Sequence, residues 1–247
     1  MYDLTQLTLS DVTEMGAHMR KLGKEADRLE TVATLCVKYL REHLVDGQSG
    51  QPACTLIRFF KTHSYGNLPT RLQAQADKAI AQRDLLSYNM KCLTLMATVG
   101  DRPEWCDRTA SRRHQAIPLT SETAVSQIPM ISQLIQSFGL AVNNILSPDP
   151  ALLVELEHKT CNVFYISEAL GSEYIPAQTS FVEPYGIKSV IGFGGILPSG
   201  DLFAVIVFSK VVVPEETARL LRTLPLNLKM AMVPFLNKDS FRALQSA

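Results

Sequence analysis

Apolar and polar positions recur along this chain in two rhythms, one helical and one extended. The helical rhythm comes first. From Met15 through Met19, Leu22, Ala26, Leu29, Ala33, Cys36 and Leu40 the apolar residues step by four and three, which lays a stripe along one side of a helix. The pattern predicts one long helix over 11–44. Asp11 with Glu14 makes a capping-box-like start, and the turn residues from Asp46 to Pro52 close it. A stripe this long has two readings: it packs inside its own fold, or it is a seam shared with a second copy.

The extended rhythm takes over at Ala53–Lys61 (ACTLIRFFK) and returns at Lys91–Val99 (KCLTLMATV). In the second run Cys92, Thr94 and Met96 fall on one face and Leu93, Leu95 and Ala97 on the other. Between the two, Thr62–Pro69 reads as a loop and 70–86 as a polar helix. The middle is less regular. Trp105–Arg113 leads into a short extended piece at His114–Leu119, and Pro129 opens a helix with Ile131, Leu134, Ile135, Phe138, Val142 and Ile145 on its apolar face. Gly139 lies inside that helix, where it points to a bend or a close contact, Ser147–Pro150 stops it, and a short helix is expected over 150–158.

The last third reads as a strand at Thr160–Ile166, a loop with a helical turn near Ser180–Glu183, and a strand at Ile187–Ile196. The turn Leu197–Gly200 then leads to a strand at Asp201–Val213, so that the last two form an antiparallel hairpin. A C-terminal helix follows Pro214, with Leu221, Leu224, Leu228, Ala231 and Phe235 on one side and a kink at Pro225. No βαβ repeat and no linker composition appears. The expected fold class is therefore α+β: a five-stranded, largely antiparallel sheet flanked by N- and C-terminal helices. It is expected as a single domain over 1–247, with the N-terminal helix in 1–46, the sheet core with helical insertions in 53–213, and the C-terminal helix in 214–237.

Composition narrows the function classes. Lys and Arg together number 24, as do Asp and Glu, so the net charge is zero and the basic excess of a nucleic-acid binder is missing. The longest apolar stretch, Leu202–Phe208, is far shorter than a membrane span needs. No signal-peptide pattern opens the sequence. Five cysteines, widely spaced and without a CxxC pair, read as reduced thiols of a cytoplasmic protein.

Two segments resemble the closing part of GAF domains: Phe181-Val182-Glu183-Pro184-Tyr185-Gly186-Ile187-Lys188-Ser189-Val190, and the run from Pro198-Ser199-Gly200-Asp201 to Phe208-Ser209. Leu93–Gly100 looks like the family's second strand. More narrowly, Arg58–His63 with Gly66–Pro69, Arg113–Leu119 and Tyr174–Gln178 are similar to sensory modules that precede bacterial histidine kinases and serine phosphatases. The chain departs from the general pattern at Gly194, where many GAF domains place a proline, and in the helix at 70–86, which looks like an insertion. The resemblance implies a GAF-like (profilin-like) sheet in a cytoplasmic sensory domain of two-component or related signalling, often a homodimer through its terminal helices. On these helices the seam residues would be Leu22, Leu29, Cys36, Leu40, Leu221 and Leu228. It implies no particular ligand.

Candidate chemistry is sparse. The Asn-Lys-x-x-x-Phe-x-x-x-Asp-Glu pattern of cyclic-nucleotide GAF domains is absent. Cys106 is followed by Asp107 and Cys161 by Asn162, unlike the bilin-attaching cysteines of that family. His63 and His114, in polar segments, are the imidazoles a haem or an iron would need, whereas His18, His43 and His158 read as helix-surface residues. Arg108, Arg112, Arg113 and His114 form a basic run suited to an anionic ligand or an acidic partner, or to intramolecular salt bridges. Phe59, Phe60, Tyr65, Trp105, Tyr165, Tyr174, Tyr185 and Phe193 are candidate pocket walls, although Phe59 and Phe60 must point to opposite faces.

Lys61 joins the ligand-binding set with Phe59, His63, Tyr65, Trp105, Arg112, His114, Tyr165, Tyr174, Tyr185 and Phe193. Gly192–Gly195 lies mid-strand, out of context for a phosphate loop, and points to a bulge or a close backbone approach. The functional expectation is a non-catalytic sensor that binds a small molecule or a partner and relays it through dimeric terminal helices. The alternatives are a ligand-free dimerisation module and a thiol-dependent reductase using Cys92, Cys106 and Cys161, of which Cys106 has Arg108 nearby.

Overall fold

The computed structural model describes residues 1–80, 87–111, 114–149, 151 and 162–241. Six antiparallel strands form the main sheet: β3 (Cys54–Ser64), β4 (Lys91–Gly100), β5 (Ala116–Leu119), β6 (Phe164–Ile166), β7 (Ser189–Ile196) and β8 (Leu202–Ser209), in the order β5-β4-β3-β8-β7-β6. The fold class is α+β, with one strand more than the five expected. The addition is β5, the short extended piece before Leu119. Its Pro118 lies opposite Cys92 on an edge strand, where the missing N–H interrupts no further ladder. A two-residue parallel pair, β1 (Tyr2–Asp3) and β2 (Leu44–Val45), ties the N-terminus to the end of the second helix.

The N-terminal stripe is not one helix. It divides into α1 (Leu9–Lys21) and α2 (Leu29–His43), with a 3₁₀ turn at Leu22–Lys24 between them. The cap of α1 is Thr8, whose backbone N–H donates to Asp11 at 2.8 Å while its hydroxyl accepts from the Asp11 amide at 3.2 Å, so the capping box sits three residues earlier than expected. The break has a tertiary cause. A Cβ on Gly23 would come within 2.6 Å of the Ala231 carbonyl, so the chain passes hard against the C-terminal helix just where it turns. Thus α1 lies on α8 (Leu224–Met232), while α2 packs on β3 and β4.

The C-terminal stretch is likewise divided into α7 (Glu215–Leu220), a 3₁₀ turn and α8, with Pro225 in the first turn of α8, where its missing N–H is tolerated. The helix that Pro129 opens, α5 (Pro129–Ser137), stops before Gly139, whose φ of 73° only glycine adopts without cost. The chain resumes helix at α6 (Val142–Leu146), after α4 (Glu122–Ser126) has already crossed the same face. Helix α3 (Thr70–Ala79) covers the first part of the expected 70–86 helix. A π-helical turn occupies Gln178–Val182, near the turn expected at Ser180–Glu183. The expected short helix over 150–158 and the start of the strand at Thr160 lie outside the described residues, save Ala151.

The sheet separates two cores. One, between the sheet and α1, α2 and α8, contains Ile57, Phe59, Cys92, Met96, Ala97, Phe193, Phe203 and Val205. The other, under α4–α6 and the segment 169–187, contains Leu56, Phe60, Leu93, Leu95, Phe164, Ala204, Ile206 and Phe208. Phe59 and Phe60 therefore point to opposite faces, as strand geometry requires. Ala97 breaks the simple alternation expected for β4. A register shift between Phe59 and Phe60 leaves Met96 without a partner on β3, and Ala97 joins Cys92 on the helix-covered face.

The six apolar residues read as a possible seam are consumed by this packing: Leu22, Leu29, Cys36, Leu40, Leu221 and Leu228 are each at most 3% exposed within one chain. The periodicity marked the inward side of these helices, and what fills that side is the sheet and the neighbouring helices. On the opposite side of α8 and just beyond it, Leu226, Met230 and Val233 stand exposed at a spacing of four and three.

Candidate functional site

At the end of the sheet where β8 begins, Lys61 Nζ lies 2.8 Å and Lys91 Nζ 2.9 Å from the two carboxylate oxygens of Asp201. Lys61 also donates to the Thr62 carbonyl, and the Thr62 hydroxyl accepts from the Leu202 amide at 2.9 Å. Burial alone would raise the Asp201 pKa, but the two ammonium groups overcome it and hold the carboxylate down at about 2. Burial pulls the Lys61 pKa down, against the attraction of Asp201. Lys61 is thus a closed structural ion pair and not the free ligand group expected of it.

His63 sits beside this triad. It belongs to β3 and not to the expected loop, because β3 extends to Ser64 along β4. Its ring is 7% exposed, both ring nitrogens lack a hydrogen-bond partner, and the Phe241 ring lies 5.1 Å away. Burial, reinforced by the Lys61 charge, depresses its pKa well below the usual 6.5. The folded chain therefore refuses a proton that the unfolded chain accepts. The resulting stability is complete above pH 6.5 and falls as pH drops through that value, by about 1.4 kcal/mol per pH unit. Urea midpoints should be lower at about pH 5.5 than at about pH 7.5, and His63→Phe should remove most of the difference. An equal pH dependence in both proteins would mean that another group is responsible.

The loop-covered face holds polar groups that remain unsatisfied. Arg58, in the middle of β3, stands opposite Thr98 of β4 and Ile206 of β8, so its side chain shares their face. Its Nε is sealed from solvent and has no acceptor, and the buried Thr98 hydroxyl also lacks a partner. Burial lowers the Arg58 pKa to about 10, with no acidic group among the described residues opposing it. The next row of the sheet, Gly100–Leu56–Phe208, lies under an aromatic group. Trp105 meets Tyr185 at 4.6 Å and Phe181 at 5.7 Å, and Phe181 meets Phe208 edge-on at 5.0 Å between centroids. A Cβ on Gly100 would lie 2.9 Å from the Trp105 ring, which fixes the indole against the sheet.

The expected ligand set is therefore divided. Trp105, Tyr174 and Tyr185 pack against the loop-side core. Phe59, Phe193, Tyr65 and Tyr165 belong to the helix side, the first two fully buried in its core. The Tyr65 hydroxyl donates to Asp77 at 2.8 Å and that of Tyr165 to the Val213 carbonyl at 2.5 Å. His114 is exposed with a φ of 65°, and Arg112, Arg113, His158 and Cys161 lie outside the described residues. Arg108 pairs with Glu30 at 2.5 Å and lies over the Phe241 ring, so that member of the basic run makes an intramolecular bridge. His18 and His43 flank Tyr39 in a ring stack on the helices.

Gly192–Gly195 runs through β7 in unbroken register, and a Cβ on Gly194 would approach the Phe203 carbonyl to 2.1 Å: a close backbone approach, without a bulge. Cys36, Cys54 and Cys92 are buried, burial pushes all three thiols up, and Cys54 and Cys92 reach about 12; Cys106 is exposed. Among the described residues no three His, Cys, Asp or Glu side chains are grouped to hold a metal. A surface groove of about 460 Å³ lies elsewhere, between Tyr165, Glu215 and Arg222. Arg58, Thr98, Phe181 and Phe208 were not singled out from the sequence as site residues. The available signal was a lone arginine inside an apolar strand, with the parity of Leu56 and Phe60.

One solved structure similar to this chain is the phycocyanobilin-bound GAF domain from a cyanobacterial phytochrome. The sequences are 11% identical, the match covers 93% of this chain and 94% of that one, and the TM-score is 0.39. No protein-family model matches the sequence, and no curated protein matches it. A likeness of that size carries no functional argument. The case for a site rests on the chain's own unsatisfied face.

Proposed function

We propose that this chain is a GAF-like, non-catalytic sensory domain that binds a small molecule on the loop-covered face of its sheet and relays occupancy to its terminal helices. The observation that carries this reading is a pair of unmatched groups on the loop-covered face: the Arg58 Nε and the Thr98 hydroxyl are buried without partners, beside an aromatic group. At the end of the sheet the Asp201 carboxylate and its two lysines are mutually paired. Native proteins rarely leave buried polar groups unmatched, and each one that is calls for an explanation, here a bound small molecule. The relay is short: Arg58 and Phe59 are neighbours on β3 facing opposite cores, and α2 rests on β3. A ligand that binds one arrangement of β3 better shifts the population toward it and moves α2 with it.

The proposal extends to a cytoplasmic homodimer that signals through a histidine kinase or a similar partner. Among the described residues no helix is long and apolar enough to cross a membrane. Exposed apolar residues at the C-terminal helix, Leu226, Met230 and Val233, offer an intermolecular contact in place of the buried stripe. The same exposed stripe supports a second reading, a ligand-free dimerisation module. Of the cysteines in the reductase alternative, Cys92 is buried, Cys106 is exposed and Cys161 lies outside the described residues.

Native mass spectrometry of the purified chain, alone and with a mixed library of neutral and charged small molecules, tests the first reading. A retained adduct on the folded species is expected, and its absence across the library would favour the interaction module. Leu226→Glu with Met230→Glu tests the dimer. Light scattering should show the wild type as a dimer and the variant as a monomer with stability within about 0.5 kcal/mol. A wild-type monomer at every concentration would end the dimer proposal.

A further inference from the structure

A guanidinium inside a protein is ordinarily paired, because the cost of removing it from water is recovered only through an opposite charge and full hydrogen bonding. Arg58, partly exposed at the centre of the sheet, breaks that rule at one atom. Its Nε has neither acceptor nor solvent, and it forms no ion pair among the described residues. Directly across the strand pair, the Thr98 hydroxyl is equally unmatched. Two donors on the same face of adjacent strands thus lack an acceptor.

We propose that Arg58 and Thr98 anchor the carboxylate of a small aromatic acid whose ring lies against Trp105 and Tyr185. The proposal rests on the ligand-binding reading above and names its chemical class. The planar Nε edge of an arginine matches a carboxylate through two parallel bonds. The threonine hydroxyl supplies a third donor. One cation suits a monoanion, whereas a phosphate dianion asks for a second. Lys61, three residues further along β3, is already committed to Asp201. The aromatic residues begin one row away on the same face, about 7 Å along the strands, which is about the full length of phenylacetate from carboxylate to the far edge of its ring. Trp105 and Tyr185 meet at a steep 62° rather than stacked, so each leaves a ring surface for a flat partner.

Trp105 is the single tryptophan of the chain, so its fluorescence reports on this site alone. The probes are phenylacetate, phenylacetamide and inorganic phosphate, titrated into the full-length chain and into Arg58→Met, with melting temperatures measured without any probe. Phenylacetate should give a saturable change with half-saturation below about 1 mM, the amide should bind about tenfold more weakly or worse, and Arg58→Met should abolish the response. Without ligand that variant should melt at the same temperature or about 2–4 °C higher, because a buried donor without an acceptor has been removed.

Equal binding of acid and amide would overturn the carboxylate anchor while leaving a ligand site in place. Tighter binding of phosphate, or no saturation by phenylacetate up to about 10 mM, would overturn the proposed class. A clear loss of melting temperature in Arg58→Met would show that the arginine is a structural group. Failure of the broader sensory reading is a separate result, read from the absence of any retained molecule in the native mass spectra.

Discussion

Replacing Asp201 by Asn should destabilise this protein by about 3–5 kcal/mol, because the change strands two buried ammonium groups at once. The side chains of Lys61, Lys91 and Asp201 are only 5%, 13% and 14% exposed, so water does little to replace the lost carboxylate. The geometry around it is also specific. Ser199 donates to Asp201 at 2.9 Å, and the β7–β8 turn is held by it against β3 and β4. Urea denaturation at neutral pH measures the loss. Combining Asp201→Asn with Lys61→Met should recover a good part of it, since the double variant leaves one fewer orphaned charge. Equal destabilisation in single and double variants would show that Asp201 matters for the turn and not for the lysines. The wild-type pair carries a pH signature as well. With its pKa near 2 in the fold and 3.8 outside it, Asp201 stabilises fully above pH 4 and progressively less as the pH falls toward 2.

Phe193→Ala should cost a comparable amount, about 3–5 kcal/mol. Phe193 is completely buried on the helix-covered face of β7, opposite Val205, in the core it shares with Phe59 and Phe203. Removing the ring leaves a cavity that the pairing of β7 with β8 prevents from collapsing. The urea midpoint should fall steeply, and any ligand response of Trp105 should survive in whatever fraction remains folded. A tolerated Phe193→Ala that loses ligand would reverse the assignment and make Phe193 a pocket wall after all.

The contrast with Arg58 shows what can be read from the chain. Alternation places Phe59 and Phe60 on opposite faces of β3, and the spacing from Met15 to Leu40 marks an inward side. Both follow from backbone periods that any sequence displays. The hairpin of β7 and β8, the start of α5 at Pro129 and the strand context of Gly192–Gly195 were legible for the same reason: local residue chemistry decides them.

Tertiary structure decided the rest. The stripe from Met15 to Leu40 carries no mark of what it packs against, and the approach of Gly23 to Ala231 is invisible until α8 is in place. The polar run Thr62-His63-Ser64 looks like a loop, yet pairing along β4 makes it strand and buries an uncharged histidine. One register shift at Phe59 and Phe60 moves Ala97 to the other side of the sheet. Lys61 appeared free until the fold brought Asp201 from 140 residues away. The sequence by itself determined which residues are apolar, how they repeat and where turns and caps fall. Which charges are matched and which are left waiting depends on distances between remote segments, and only the folded sheet sets those.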